Sequence, residues 1–454
     1  MKKNFYMVLV VLLLSSLSML AQQEVDFDAD FADWSQWVGK TVSFTNDFYL
    51  CNASSRMIAP HRLRAPEEYG EEGTAAYDAA QAANEHDKCY LSGLQVYSNE
   101  RPGAIIRNLV AQVTAANQLQ LIGTPTIIYN ELPTRRPDLG NANVVVCGTN
   151  LQNFFVTLGG YAGAADETQL ECQKTKISKA LYHMDADIYG LCEVEQGPLA
   201  TTELVRLLNE LAGRDCYAWV NANFSTYNGI MVCYIYRKDR VRTYSRYLMP
   251  YSYAPMKFRE AIQCFEHIDT GERFNVSINH FYAKTSKTDA DREENMRSLI
   301  TKISTAVSND PDVLVIGDLN AYTMEESNLL LSRDKKYVDL LMRDDPTGYS
   351  YVYDAMVGYL DHAYCSPSMA PQVTRATAYH LNADTYYRYG FKYGDNSMYR
   401  YSDHDPILVG LHLGPNTAVE NISAAEPCRK VLRDGMLLIE RGGAEYTVTG
   451  TRLK

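Results

Sequence analysis

Acid, amide and imidazole side chains recur in this chain just after runs of apolar, β-branched residues. Asn150 and Asn153 follow Val144-Val-Val-Cys-Gly-Thr, and Glu193 closes Ala186-Asp-Ile-Tyr-Gly-Leu-Cys-Glu. His280 ends Phe274-Asn-Val-Ser-Ile-Asn-His, while Asp318 and Asn320 end Val313-Leu-Val-Ile-Gly-Asp-Leu-Asn. Asp361 and His362 lie in Tyr359-Leu-Asp-His, and Ser402-Asp-His-Asp opens a final apolar run. Groups of these types hold a metal ion or a phosphate. Each alone has a plainer reading: a strand-end carboxylate caps a turn, and a lone histidine is a satisfied core or surface residue. The ordered set is more specific, because two packed sheets with converging strand ends account for all of it at once.

The elements that must position these residues follow from periodicity. Strands are predicted at Asn143 to Cys147, Asp187 to Cys192, Ile230 to Tyr236, Phe274 to Ile278, Val313 to Ile316 and Pro406 to Leu413. Helical spacing appears at Thr168 to His183, Leu204 to Leu211 and Ala290 to Val307. Alternation of the two over residues 141–414 predicts an α+β sandwich. Gly317 is expected to permit a tight turn from which Asp318 and Asn320 project.

The ordered motifs resemble the endonuclease/exonuclease/phosphatase superfamily, which includes pancreatic-type deoxyribonuclease, abasic-site endonucleases and neutral sphingomyelinases. Supporting details are Tyr236-Arg237 closing a strand, Asn279-His280, and Tyr401-Ser-Asp-His-Asp-Pro-Ile-Leu. Within it, bacterial extracellular nuclease-like proteins are the nearest in look. The resemblance implies a four-layer α/β/β/α sandwich of the DNase I-like kind. It implies that Glu193 binds the metal with Asn150 as polar neighbour and Asp403 beside them. Asp318 would orient or deprotonate the attacking water, and Asn320 would hold a phosphate oxygen. His404 would contact the phosphate with Asp361 as its carboxylate partner, and His280 would protonate the leaving oxygen. The implied cofactor is Mg²⁺, with Mn²⁺ or Ca²⁺ as alternatives. The sequence departs from the common pattern after His280, where Phe281-Tyr-Ala-Lys-Thr is longer than usual, and Asn228, Gly229 and Ile230 offer no acidic partner for that histidine.

Composition bounds the substrate. A net charge of −12 over 454 residues argues against a protein that grips nucleic acid through its overall field. A phosphate-bearing substrate must then be held locally, with Arg237, Arg259, Lys284 and Arg297 as the expected cleft cations. The expected activity is metal-dependent phosphodiester hydrolysis, with nucleic acid as substrate. Sphingomyelin or another small phosphoester is the alternative, and a non-catalytic exported binding protein the third reading. Tyr386, Tyr387, Tyr389 and Tyr393 read as a surface loop packing on itself, with base stacking as the alternative.

The rest of the chain frames this domain. Lys2 and Lys3, the apolar run from Met7 to Leu14, and Ala21 read as a signal peptide over residues 1–21, too short for a membrane anchor. The protein is therefore expected to be exported, periplasmic or extracellular, without stable membrane insertion. Residues 22–140 read as a small β-rich domain that resembles an oligonucleotide/oligosaccharide-binding (OB) barrel. A loop rich in Ala, Glu and Gly is expected near 65–85, and a proline-stiffened linker at Leu132 to Gly140. Of ten cysteines, most read as buried thiols, and Cys51 and Cys89 are candidates for pairing. Residues 415–454 read as a hairpin tail around Asp434-Gly435 that resembles the sorting tails of type IX secretion substrates.

Overall fold

The computed structural model describes residues 23–160, 162–220, 229–245, 259–414, 429–433, 436–441 and 444–447. The expected signal peptide and Asn228 lie outside the described residues. The chain forms two compact units, Met1–His412 and Leu413–Lys454. The second holds three antiparallel strands, Arg429–Arg433, Met436–Arg441 and Ala444–Thr447, with Arg433 paired to Met436 as the expected hairpin requires. The connecting residues 434–435 are outside the described set.

The first unit begins with a β-rich region. Its strands include β1 (Thr41–Phe44), β2 (Phe48–Asn52), β3 (Met57–Ala59), β4 (Cys89–Ser92), β5 (Ile105–Arg107), β6 (Val110–Ala115) and β7 (Gln118–Leu121). β1 pairs with β6 and β2 with β5, so residues 41–52 and 105–115 act as two long bent strands side by side. The remaining pairs, β2–β3, β3–β4, β4–β7 (parallel) and β7–β6, return the sheet to its start. With Gln23–Val25 beside β1 and Thr126–Ile128 beside β5, these strands make one nine-stranded sheet, the β-rich region the sequence predicts. Phe44, Phe48, Leu50, Ile58, Leu91, Ile106 and Val113 form its core, joined by Phe27 and Phe31, which stack on each other, and Trp34, edge-on to both. Cys51 and Cys89 are free buried thiols, as are the other cysteines of the described residues.

One expectation here is overturned. The segment taken for a loop contains a helix, α1 (Ala75–Asp87), inserted between β3 and β4. Its six alanines and a cap from Thr74, whose hydroxyl accepts the Tyr77 N–H at 3.3 Å, explain it. Gly70 and Gly73 upstream hid that signal.

The remainder is the four-layer α/β/β/α sandwich. One six-stranded sheet contains β8 (Val144–Phe154), β9 (Ile188–Glu195), β10 (Tyr217–Trp219), β11 (Ile230–Arg237), β18 (Val373–Ala378) and β19 (Ile407–Leu411), in the order β10-β11-β9-β8-β19-β18. The other contains β12 (Val241–Thr243), β13 (Arg259–His267), β14 (Arg273–His280), β15 (Val313–Asp318), β16 (Val338–Asp339) and β17 (Asp361–Cys365), in the order β12-β13-β14-β15-β17-β16. Helices α2 (Glu167–Met184) and α3 (Pro198–Ala212) cover the first sheet, and α4 (Asp289–Ala306) covers the second. Strands covered on both faces read as continuous apolar runs, which is why the central ones were legible.

The sheets meet closely because glycine stands where they touch. A Cβ on Gly148 would come within 2.6 Å of Ile316, and one on Gly190 within 2.7 Å of Ile278. Gly317 serves neither that purpose nor a turn: it lies within β15 at φ +129°, and a Cβ there would lie 2.3 Å from the carbonyl of Asn279, its partner on the neighbouring strand β14. The expected linker runs irregularly and is tied down by Arg136, whose guanidinium donates to the Met184 and Asp185 carbonyls at the end of α2.

Candidate active site

Strand periodicity brings the predicted residues together. Val145 and Cys147 of β8 pack under the helices, so Gly148 and Asn150 point inward between the sheets. In β15, Val313 and Val315 face α4, which turns Leu314, Ile316 and Asp318 inward. The same alternation turns His280 and Asp361 inward, while Tyr364 and His362 take the helix side. His362 is engaged there by the Ala321 carbonyl at 2.7 Å. His280 pairs in register with Asp318, and Asp318 with Asp361, so the three form one rung across β14, β15 and β17. Arg259 continues it opposite His280.

Glu193 reaches the same place by a break in the rule. Its parity in β9 matches Tyr189 and Leu191, which pack under the helices. A register shift between Leu191 and Val194, with Glu193 at φ 58°, swings its carboxylate to the sheet end. The matching irregularity in β8 places Gln152 and Asn153 at φ 51° and 56°. The Asn153 N–H then donates to Glu193 Oε2 at 2.8 Å. Asn153 therefore contributes through its backbone.

The distances define two connected clusters. Asp361 Oδ2 lies 2.7 Å from His404 Nδ1, which directs the other ring nitrogen toward Asp318 Oδ2 at 3.9 Å. His280 Nε2 lies 3.6 Å from Glu193 Oε1 and 3.7 Å from Asp318 Oδ2. Asn150 donates to Asp318 Oδ2 at 3.0 Å, while its own oxygen accepts from Gln152 N–H at 2.8 Å. Asn320, at φ 49°, donates its N–H to Asp318 Oδ1 at 2.9 Å and its side-chain amide to the Phe281 carbonyl at 3.2 Å. Asp403 lines the cavity that opens over Glu193, Asp318, Asn320 and His404.

Burial and charge separate the two histidines. Burial would lower His404, but Asp361 and Asp318 outweigh it and hold its pKa well above the ordinary imidazole value. Burial pushes His280 well below that value, reinforced by Arg259 and by His404 itself. The two shifts are opposite, favouring the cation at His404 and the neutral ring at His280. Burial raises Asp318 to about 7, against the pull of His404, and burial with Asp403 raises Glu193.

Those crowded acids fit a cation. Glu193, His280 and Asp318 offer ligand atoms within 4.8 Å of one another, as do Asp318, Asp361 and His404. Asp361 Oδ1 is buried without a hydrogen-bond partner among the described residues. Hard oxygens in excess of nearby cations are the donor set that divalent ions of the Mg²⁺ class take.

The expected substrate cations divide. Arg259 adjoins His280, and Lys284 lines the cavity with its Nζ 2.5 Å from Glu325. Arg237 does not belong to the site. β11 runs antiparallel to β9, so Ile230 pairs with Glu195 near the site and Tyr236 with Ile188 at the far end. Arg237 is engaged there by Asp185 and Asp239. Arg297 lies exposed on α4, paired with Glu293. The Tyr386–Tyr393 cluster packs on itself, with ring centroids 4.7 and 5.3 Å apart.

The match that decides the family covers this region. The model of the Endonuclease/Exonuclease/phosphatase family matches residues 149–404, from the strand carrying Asn150 to His404 itself. The chain belongs to that family. Its members are phosphoesterase hydrolases, typically dependent on divalent metal. Similar solved structures include the Bacteroides thetaiotaomicron mannosyl-6-phosphatase, 16% identical, with 60% of this chain and 100% of that one covered at a TM-score of 0.44. The human Nocturnin catalytic domain with bound sulfate is 16% identical, covering 59% and 93% at 0.41. D. rerio TDP2 with a single-strand DNA product is 15% identical, covering 60% and 99% at 0.41. No curated protein matches the chain.

Two contributors carried no sequence signal. The Tyr351 ring lies 4.7 Å from that of His404, and Ser350 Oγ accepts the Leu360 and Asp361 N–H groups at 3.1 and 2.9 Å. Ser350 precedes the short hairpin Tyr351–Tyr353/Met356–Gly358 and Tyr351 opens it, where strands of three residues leave no periodic pattern to mark them.

Proposed function

We propose that this family member is an exported, divalent-metal-dependent phosphoester hydrolase acting at Glu193, Asp318 and His404. The observation that carries the reading is the placement of Asp318. It is one buried carboxylate within 4 Å of both histidines, hydrogen-bonded to Asn150 and in register with Asp361. Glu193, with Asp403 beside it, would hold the ion, Mg²⁺ by its oxygen donors. Bound there, such an ion would supply Lewis-acid neutralisation of charge on the phosphate. Asp318 orients the water and accepts its proton as the new P–O bond forms. His404, kept protonated by Asp361, presents Nε2–H to the phosphate and is the imidazole with a proton to give as the bond to the leaving oxygen breaks. Asn320 and Asn150 hold Asp318 in place, and Asn320 borders the phosphate position.

Nucleic acid is the substrate to which the sequence motifs point, with Arg259 and Lys284 at the site. A specific feature favours the second reading, a small phosphoester: the cavity over Asp318 and His404 is lined by six carboxylates, those of Glu67, Glu85, Glu193, Asp318, Asp354 and Asp403. The test is turnover of plasmid DNA, structured RNA, sphingomyelin and small phosphate esters, each with Mg²⁺ or with chelator. Chelator-sensitive release of any product supports the hydrolase. No turnover of all four classes contradicts it.

Export rests on the N-terminal pattern, and delivery by type IX secretion machinery on the tail. Sequencing the N-terminus of protein from the culture medium or cell surface tests the first, with a start at Gln22 expected, and deleting residues 415–454 tests the second, with loss of surface delivery expected. Among the described residues, no helix is long and apolar enough to cross a membrane.

A further inference from the structure

The sandwich does not build its own cavity alone. One wall comes from residues 60–88, the segment that includes α1 and leaves the N-terminal sheet between β3 and β4. Its attachment is extensive and largely buried. The Ala65 N–H donates to the Val357 carbonyl at 3.0 Å, and the Val357 N–H to the Leu63 carbonyl at 2.8 Å. Glu68 is the anchor: Oε1 accepts the Tyr359 N–H at 2.9 Å, and Oε2 accepts from Thr323 Oγ1 at 3.0 Å and Arg64 Nη2 at 3.1 Å. Arg64 also donates to the Thr347 and Gly348 carbonyls, and the Met324 N–H to the Glu67 carbonyl at 3.1 Å. Gly358 permits the contact, since a Cβ there would strike the Tyr322 ring at 2.6 Å. A segment held by this many satisfied buried groups is part of the site's rigid frame.

The wall closes a cavity of about 600 Å³, the size of a small-molecule site. It contributes Glu67, Tyr77, Gln81 and Asn84 to a lining that also includes Tyr353 and Asp354 of the hairpin, the Asn84 amide itself being donated to the Arg64 carbonyl at 2.7 Å. Glu85 also lines the wall, its charge partly offset by Lys88. Against the six lining carboxylates, Lys284 and His404 are the cationic side chains among the described lining residues, and Glu325 engages Lys284. A polynucleotide carries a phosphate on every residue, so a strand crossing this cavity would set further phosphates against Glu67 or Asp354. Carboxylates, amides and tyrosine rings together suit hydroxyl groups and the C–H faces between them.

We propose that residues 60–88 form the substrate-selecting wall of the active site, admitting a phosphate ester whose alcohol portion is small, uncharged and hydroxyl-bearing, and turning polyanions away. The inference rests on the phosphoesterase reading and names its substrate class. Water adds to phosphorus, the bond from phosphorus to the alcohol oxygen breaks, and that oxygen takes a proton, giving free polyol and phosphate.

The test uses the full chain with Mg²⁺ on three probes: glucose 6-phosphate, a single-stranded oligonucleotide and bis(p-nitrophenyl) phosphate. The parent should prefer glucose 6-phosphate over the oligonucleotide by ~10²-fold in kcat/KM, the scale of a like-charge exclusion. The Glu67→Lys/Asp354→Asn variant, checked for an unchanged Tm, should narrow that ratio by about tenfold or more through faster oligonucleotide turnover. An oligonucleotide-preferring parent, or a folded variant with an unchanged ratio, overturns the wall. So does turnover of bis(p-nitrophenyl) phosphate or oligonucleotide without glucose 6-phosphate, which leaves the hydrolase reading standing. Turnover of none of the three overturns both.

Discussion

Asp318 and Asp361 face each other in register on neighbouring antiparallel strands, two carboxylates almost wholly buried. Like charges so placed repel. His404 lies between them, 2.7 Å from one and 3.9 Å from the other, and offsets part of that repulsion. The arrangement costs stability that a bound cation and substrate would return.

Metal-free protein should therefore gain from losing the Asp318 charge. Burial raises Asp318 from 3.8 to about 7, so its contribution to stability is present in acid and is lost as pH rises through that interval. Asp318→Asn should stabilise the metal-free protein at pH 8 by roughly 2–4 kcal/mol, read by denaturant unfolding in chelator. At pH 4 the difference should vanish. A variant less stable than the parent at pH 8 would show that the site is not strained by charge.

Asp361 acts through His404. Asp361→Asn keeps the shape but withdraws the charge that holds the imidazole protonated. We expect kcat to fall by roughly 10²–10⁴-fold and the alkaline limb of the pH–rate profile to move to lower pH. Combining it with His404→Ala should add little, since the two work as a unit. Full additivity would mean that the pair acts separately.

How much of this was legible varied with burial. The central strands carrying Asn150, Glu193, His280 and Asp318 read clearly because both faces are covered and the runs are uniformly apolar. β13 and β17 were missed: Arg259-Glu-Ala-Ile-Gln-Cys-Phe-Glu-His mixes charge into its run, and Asp361-His-Ala-Tyr-Cys is short. The residue types at the site were visible, but their grouping was not. Arg237 and Arg259 were both expected as cleft cations, and strand direction sends them to different ends. The cavity wall was invisible because Glu68 looks like any acid in a polar, glycine-flanked stretch, and only tertiary contact adds Tyr359 and Thr323 to its local partner Arg64.

That anchor makes its own prediction. Glu68→Ala leaves the partly buried Arg64 without its carboxylate and the Tyr359 N–H without an acceptor. The loss should be about 3–5 kcal/mol of stability by urea unfolding. A change under ~1 kcal/mol would mean that the wall is not held by Glu68.

Glu193 should govern metal affinity. Glu193→Gln keeps the hydrogen bond to Asn153 but halves the acid content next to His280. Mg²⁺ or Mn²⁺ affinity by calorimetry should weaken by ~10²-fold or more, and the stabilisation by added metal should shrink with it. Equal affinity in variant and parent would place the ion elsewhere.

The most direct test of the account compares parent and Asp318→Asn on bis(p-nitrophenyl) phosphate and glucose 6-phosphate, with Mg²⁺ and with chelator, both proteins checked as folded. The account predicts chelator-sensitive turnover by the parent and a loss of about 10³-fold or more in the variant, whose metal-free Tm is at or above the parent's. Turnover by the variant at the parent's rate would contradict the assignment of Asp318 to the reacting water.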